Sequence, residues 1–305
     1  MERRSFVASG LAAAATAASV RPANAAQAAS RGAPFACDFA PHFGMFRHHA
    51  GEDVVAQLEW MHAEGFRSLE DNGMRGRSVA EQERIAAAMT RLGMRMGVFV
   101  LNPSTAFGKV TFAGGDAAFT ASFLDDVRAS IEVAKRVNAR WMTVVMGDLA
   151  HRLEFEYQTA NAVEVLRRGA ELLEPHGLVM VLEPLNRRDH PGMFLTRVPQ
   201  AYQICRAVNS PACKILFDIY HQQITEGNLI PNLDRAWDEV AYLQIGDNPG
   251  RKEPGTGEIN YARVFAHVKA KGFTGILGME HGNAGAGKDG EKAVVEAYRK
   301  VDPSR

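Results

Sequence analysis

The sequence predicts an α/β chain folded as a (β/α)8 TIM barrel, and three observations carry that prediction. Short apolar runs alternate with stretches of helical periodicity from Ala33 onward, and eight such runs occur, at 35–39, 66–69, 95–101, 141–146, 178–182, 215–217, 241–245 and 276–279. Four of the intervening helical stretches stop at a glycine that leads straight into the next run: Gly65-Phe66, Gly93-Met94, Gly177-Leu178 and Gly272-Phe273. Glycine tolerates the left-handed backbone that ends a helix, and short helix-to-strand links imply parallel strands with crossover helices. Eight such units in about 270 residues suit a closed barrel. The runner-up, an open doubly wound sheet, lacks the G-x-G-x-x-G that would follow its first strand.

The helical stretches follow in order. Residues 54–64 carry Val55, Leu58, Trp60 and Met61 before Gly65, and 79–92 end at Gly93. Residues 117–138 repeat apolar side chains at helical spacing from Phe119 to Val137. Residues 161–175 end at His176-Gly177, 198–208 end before Asn209-Ser210-Pro211, 261–271 end at Gly272, and 291–300 close the chain. The stretch 282–290, G-N-A-G-A-G-K-D-G, reads as a mobile loop with Lys288 near the barrel mouth. It is not a phosphate-binding P-loop, because no Gly-Lys-Ser/Thr follows.

Composition bounds the function classes. The chain has 305 residues, 46% hydrophobic and 23% charged, which suits one large domain at 34–305. The formal net charge is +0, so no basic surface for a phosphate backbone is indicated and no nucleic-acid partner is expected. Cys37, Cys205 and Cys213 form no C-x-x-C pair and read as small buried hydrophobes, with a Cys205–Cys213 bridge left open for an oxidising compartment.

Residues 1–25 read as a signal rather than as fold. Arg3-Arg4 precede Ser5-Phe6-Val7, an Ala-rich weakly apolar run covers 8–20, and Ala23-Asn24-Ala25 offers a cleavage site. This resembles a twin-arginine export signal, implying the twin-arginine export machinery as a partner and a periplasmic location. The apolar run is too short for a standing membrane anchor. A polar tail at 26–33 would then precede the barrel. Twin-arginine systems carry folded proteins, which suits a protein that takes up a metal before export.

A barrel places its chemistry at the C-terminal ends of its strands. The runs end in Glu70-Asp71-Asn72, Asn102, Gly147-Asp148, Glu183, Asp218, Gln244 with Asp247, and Glu280-His281. Glu183, Asp218, Gln244 and Glu280 come from four consecutive strands. Any one of them alone reads equally well as a solvated strand-end residue. Together, three carboxylates and an amide oxygen make a hard oxygen cage suited to Mn²⁺, Mg²⁺ or Co²⁺. Without a cation such carboxylates would repel one another and raise each other's pKa.

Four segments carry a family resemblance: Glu183-Pro184-Leu185-Asn186-Arg187-Arg188-Asp189, Phe217-Asp218-Ile219-Tyr220-His221, Leu243-Gln244-Ile245, and the run from Pro249 to Tyr261, P-G-R-K-E-P-G-T-G-E-I-N-Y. They resemble hydroxypyruvate isomerase, within the xylose-isomerase-like TIM-barrel sugar isomerases and epimerases. The likeness is specific from about Leu178 to Glu280 and only architectural before Trp141. It implies that Glu183 and Glu280 form the acid–base pair and also bind the metal, with Asp218 and Gln244 completing the coordination. It implies substrate contacts from His221, Arg251, Asp189 and Asn186, a small keto acid or keto sugar as substrate, and a homodimer or homotetramer. Ketose epimerases of the superfamily usually have His where this chain has Gln244.

The chemistry suits the residues. A 1,2-isomerisation moves a proton between neighbouring carbons through an enediolate. A divalent ion polarises the carbonyl, carboxylates carry the proton, and Arg251 can hold a substrate carboxylate in a fork that Lys cannot match. Among the remaining candidates, His42, His48 and His49 read as surface or pocket-wall residues. Phe43, Phe46 and Trp141 read as wall and core, Glu70 as a support for the ligands, and Arg187-Arg188 as a hydrogen-bonding and salt-bridge site at the rim. Other readings are a ketose 3-epimerase, a nuclease of the same barrel type (which would want a His-rich multi-zinc site and a basic groove), and a non-catalytic sugar-binding barrel. Export widens the choice of substrate, since hydroxypyruvate is a cytoplasmic metabolite.

Overall fold

The computed structural model describes residues 32–303. The signal at 1–25 and all but the last two residues of the tail at 26–33 lie outside the described residues. In chain order the elements are β1 (Phe39–Ala40), α1 (Arg47–Ala50), α2 (Val54–Ala63), β2 (Ser68–Leu69), α3 (Val79–Leu92), β3 (Arg95–Met96), α4 (Ala117–Val137), β4 (Trp141–Val144) and α5 (Phe155–Leu173). They continue with β5 (Val179–Leu182), α6 (Val198–Val208), β6 (Cys213–Asp218), α7 (Ile219–Thr225), α8 (Leu229–Ala236), β7 (Val240–Gln244), α9 (Tyr261–Ala270), β8 (Leu277–Gly278) and α10 (Gly287–Val301).

All strand pairs are parallel. Six strands join in the order β1-β8-β7-β6-β5-β4, and β2 pairs with β3. Single bridges close the two remaining seams: His42 with Glu70 between the ends of β1 and β2, and Met96 with Ala139 and Val100 with Thr143 between β3 and β4. Every strand therefore has two neighbours, and the ring is the eight-stranded barrel that the alternation predicts.

Side-chain alternation divides each strand between two cores. Ala40, Val98, Trp141, Val179, Val181, Leu216, Tyr242 and Ile276 pack together as one buried cluster, and the strand period assigns it to the lumen. Their strand neighbours Leu182, Ile215, Phe217, Leu243 and Leu277 belong instead to the large cluster shared with the helices. Stepping by two from Val181, Leu216 and Tyr242 reaches Glu183, Asp218 and Gln244, and stepping by four from Ile276 reaches Glu280. The same alternation that fills the lumen with apolar side chains aims all four predicted ligands into its C-terminal mouth.

Helix ends follow local chemistry. Ser78 and Asp53 cap α3 and α2 by accepting from Glu81 N–H and Ala56 N–H. The four predicted stop glycines all take left-handed φ, from 64° at Gly177 to 100° at Gly65. Differences from expectation have physical causes. The apolar run at 35–39 yields only a short β1, because Ala36 and Cys37 give their N–H groups to Asp302 at 2.7 and 3.0 Å instead of to a strand. Helix α5 starts six residues earlier than 161, since its first turn shows Phe155 and Tyr157 to solvent and so lacks an inward apolar rhythm. The stretch 282–290 is not all loop: α10 begins at Gly287, and Gly290 abuts the Gly285 backbone so closely that a Cβ has no room. The short α1, α7 and α8 were not foreseen. Cys37, Cys205 and Cys213 are buried free thiols.

Candidate active site

Asp218 is the last residue of β6 and also the N-cap of α7. Its Oδ1 accepts from Tyr220 N–H at 2.7 Å and His221 N–H at 3.2 Å. That leaves Oδ2 facing the lumen mouth, 3.6 Å from His221 Nε2 and 3.3 Å from Arg251 Nη2. Glu183, one residue past β5, is buried, and its carboxylate lies 3.8 Å from His221 Nε2. Ligand-type atoms of Glu183, Asp218 and His221 all lie within 4.8 Å of one another.

His221 is fully buried, and its ring orientation is set from behind. Asn186 approaches His221 Nδ1 with both its backbone N–H, at 3.3 Å, and its side-chain Nδ2, at 2.6 Å. A backbone N–H can only donate, so Nδ1 accepts and the neutral ring carries its proton on Nε2. Burial lowers the His221 pKa to about 4, keeping the ring neutral. Nε2 has no hydrogen-bond partner among the described residues. An N–H there offers a donor to a substrate oxygen and has no lone pair for a cation.

Gln244 ends β7 in register with Asp218. Its Nε2 donates to Glu70 Oε1 at 2.9 Å, while Tyr242 Oη donates to Glu70 Oε2 at 2.8 Å. Glu70 therefore orients the amide so that Gln244 Oε1 is the free end, and that buried oxygen has no partner among the described residues. Gly278 makes room for this arrangement, since a Cβ there would collide with the Glu70 carboxylate. Glu280 sits just beyond β8. It accepts from Asn72 Nδ2 at 2.6 Å on Oε1 and from Arg251 Nη2 at 2.7 Å on Oε2. Arg251 thus lies between Glu280 and Asp218 with its guanidinium over the Tyr220 ring, 4.9 Å from the centroid.

The carboxylates feel their crowding. Burial, then the charges of Glu280 and Asp218, push Glu183 well above the usual carboxylate range. Burial, then the Glu280 charge, does the same to Glu70. Glu280 is raised by burial although Arg251 pulls against it. Burial alone would lower the pKa of Arg251, but Asp218, Glu280 and Glu183 outweigh it and hold the guanidinium charged. The donor set fits a hard divalent cation. Gln244 Oε1 is orphaned, Glu183 has no hydrogen-bond donor among the described residues, and Asp218 keeps one oxygen in the pocket.

Arg251 is delivered by a loop built on one carboxylate. Asp247 is fully buried and accepts from Asn248 and Ile259 N–H on Oδ1, at 2.9 and 3.1 Å, and from Gly255 and Gly257 N–H on Oδ2, at 2.7 and 2.9 Å. The rich polar run after β7 is therefore mostly scaffolding, and Arg251 is the side chain it presents. Hydrogen bonds to a charged group contribute about 1.5–3 kcal/mol each. Asp247→Ala is expected to destabilise the loop by several kcal/mol, read as a new protease-sensitive site within 247–259 and a rise in KM. Unchanged proteolysis would refute the scaffold role.

At the rim, Asp189 accepts from Asn186 Nδ2 at 3.0 Å and Tyr220 Oη at 2.7 Å. Of the predicted site residues, Asp218, Glu280, His221, Arg251, Asn186 and Asp189 are joined by hydrogen bonds and ion pairs, and Glu183 approaches them through His221 at 3.8 Å. Gln244 is bonded instead to Glu70, and Glu280 lies outside the close group of Glu183, Asp218 and His221. At the expected rim site of Arg187 and Arg188, neither side chain has an ion-pair partner among the described residues, and the Arg188 backbone N–H donates to Asn186 Oδ1 at 3.0 Å. His42 bridges the Phe43 and His281 carbonyls at 2.8 and 3.1 Å and stays a wall residue. His49 pairs with buried Glu291 at 2.6 Å, away from the network. Sequence reasoning missed Asn72 and Tyr220 as site residues. The Glu70-Asp71-Asn72 run at a strand end was the available signal.

Residues 58–301 match the family described as xylose isomerase-like TIM barrel. The chain belongs to that family. Within this family it is 36% identical over 159 residues to hydroxypyruvate isomerase of Escherichia coli (strain K12), a match covering 52% of this chain and 62% of that enzyme. It is 28% identical over 243 residues to 2-oxo-tetronate isomerase of Cupriavidus necator, covering 78% of this chain and 89% of the relative. Among solved structures, AP endonuclease, family 2 from Brucella melitensis superposes with a TM-score of 0.72 at 23% identity, covering 83% of this chain and 96% of that one. The 3-keto-D-glucoside 4-epimerase from E. coli superposes with a TM-score of 0.69 at 19% identity, covering 87% and 98%. At those identities the structural likeness speaks for the barrel alone.

Proposed function

We propose that this xylose isomerase-like barrel is a divalent-metal-dependent isomerase of small α-hydroxycarbonyl compounds, hydroxypyruvate or a related keto acid or keto sugar. The observation that carries the proposal is the convergence of Glu183, Asp218, Gln244 Oε1 and Glu280 at one lumen mouth, with Gln244 Oε1 left unpartnered in a buried site. Two relatives named as keto-acid isomerases support the substrate class.

Glu183, Asp218, Gln244 and Glu280 would hold the cation, which supplies Lewis-acid polarisation of the substrate carbonyl. Glu183 and Glu280 move the proton: one carboxylate takes it from the hydroxyl-bearing carbon. The former carbonyl carbon receives a proton either from that same carboxyl group or from the other one entering the cycle protonated, and the substrate's hydroxyl proton passes to the former carbonyl oxygen. His221 donates Nε2–H to a substrate oxygen, and Asn186 fixes the tautomer that makes this possible. Arg251 offers its remaining N–H groups to a substrate carboxylate while it neutralises Asp218 and Glu280. Asp189 and Tyr220 close the rim. We also propose that the twin-arginine signal at 1–25 directs the chain to the periplasm. Cell fractionation of the tagged protein with and without Arg3-Arg4 replaced by Lys-Lys tests that location.

The function test is a panel assay on the purified protein with hydroxypyruvate, tartronate semialdehyde and free ketoses, after EDTA and with Mn²⁺, Mg²⁺ or Co²⁺ added back. Conversion of at least one keto acid, restored by metal, is expected. Turnover that ignores EDTA would refute the metal mechanism. Ketose epimerisation without keto-acid conversion would favour the epimerase, and ligand binding without turnover a non-catalytic barrel.

A further inference from the structure

We propose that the cavity beside the catalytic pocket is an anion subsite, and that the substrate carries, beyond its α-hydroxycarbonyl end, a hydroxylated chain ending in a carboxylate or phosphate. This rests on the isomerase assignment and names the substrate class of that site.

Arg187, Arg188 and Arg197 converge with Thr196, Ile224 and Thr225 on an open cavity of about 560 Å³. Only Arg197 has a counter-charge, Glu226 at 3.5 Å. That carboxylate is already shared, since its other oxygen accepts from Val198 N–H at 2.8 Å. Arg187 and Arg188 have no ion-pair partner among the described residues. Three guanidiniums against one carboxylate leave this wall strongly positive. The Thr225 hydroxyl also has no hydrogen-bond partner among the described residues. Planar guanidinium forks match carboxylate and phosphate oxygens.

A second cavity, of about 460 Å³, connects this wall to the catalytic network. It shares Arg188 and Ile224 with the first and reaches Asp189 and Tyr220 at its inner end. Those two side chains are hydrogen-bonded to each other at 2.7 Å, and Tyr220 lies under Arg251. Gln223, Asn248 and Glu258 also line it, and the Glu258 carboxylate accepts from both amides at 3.1 Å. Amides and a carboxylate in this arrangement suit hydroxyl groups, which both donate and accept. The two adjoining cavities therefore set hydroxyl-matching groups and the unpaired Arg187 and Arg188 beside Asp189 and Tyr220 of the catalytic network. Each cavity lies in the range of about 300–1,000 Å³ typical of ligand sites.

The test is the Arg187→Ala/Arg188→Ala double variant of the full chain, whose two exposed side chains make no hydrogen bond or ion pair among the described residues. One readout is calorimetric titration with inorganic phosphate, and the expected result is at least a tenfold rise in Kd. The other is the ratio of kcat/KM for a ketose phosphate or a keto sugar acid over that for the matching neutral ketose. That ratio is expected to fall at least tenfold, and the substrate that loses more identifies the terminal group as phosphate or carboxylate. Phosphate affinity unchanged in the double variant overturns the subsite. Weakened phosphate binding with an unchanged ratio overturns the substrate class. Failure of the parent protein to bind Mn²⁺ or to turn over any substrate would instead refute the isomerase assignment, and the phosphate titration would still decide the subsite.

Discussion

Glu280→Gln is expected to lower kcat by about 100- to 10,000-fold, the scale of removing a positioned acid–base group. The change keeps the shape of the side chain and one of the two oxygens that serve Asn72 and Arg251 separately, so one of those donors keeps its acceptor and substrate binding should persist more than turnover. Glu183→Gln is expected to cost a similar factor for the same reason. The two variants should differ in stability. Glu183 has no hydrogen-bond donor among the described residues and sits among like charges, so its metal-free variant should melt at a higher temperature than the metal-free parent. Stability gained on losing a catalytic charge is a recognised mark of a strained functional site. Retained turnover in either variant would remove the acid–base assignment, and a lower melting temperature for metal-free Glu183→Gln would remove the electrostatic account of the cage.

Metal removal gives the second large effect, and its pH dependence has a definite sign. Glu70, Glu183 and Glu280 are all raised in the folded protein, chiefly by burial. A group raised on folding contributes stability that is complete below its unfolded pKa, about 4.3 for Glu, and lost as pH rises through its folded value. The metal-free protein should therefore become less stable from about pH 5 toward pH 8. Mn²⁺ at about 100 times its Kd should restore about 2.7 kcal/mol, or roughly 5–10 °C in a barrel of this size. The gain should be larger at pH 8 than at pH 5.5, because the cation must displace protons at the lower pH. Binding should also release protons, read as calorimetric heats that scale with buffer ionisation enthalpy. An equal or larger thermal shift at pH 5.5 would show that these carboxylates do not form the cation site.

The barrel was legible because its signals are local. A period of two, a period of 3.6 and a stop glycine each act over a few residues, so the helices at 79–92 and 198–208 coincide with α3 and α6. Boundaries blurred where a tertiary partner competed: Asp302 captures the backbone at Ala36 and Cys37, and α5 opens with aromatics that face solvent. The four ligand candidates were legible for the same local reason, since each follows an apolar strand by an even step into the lumen.

The roles within the site needed the third dimension. Strand ends alone could place Glu70 near the mouth, but only the fold shows it turning the Gln244 amide so that the oxygen faces the pocket. Motif likeness could name Arg251 as a substrate clamp, but its contacts with Glu280 and Asp218 come from strands far apart in sequence. Likewise Asn186 sets the His221 tautomer across 35 residues of chain. The sequence by itself determined the barrel, the sign of the site and which residue types face the lumen, because those depend on periodicity. The tertiary structure decided which oxygen is free, which ring nitrogen carries the proton and which arginines lack a partner, because hydrogen-bond donation depends on distances that no local pattern encodes.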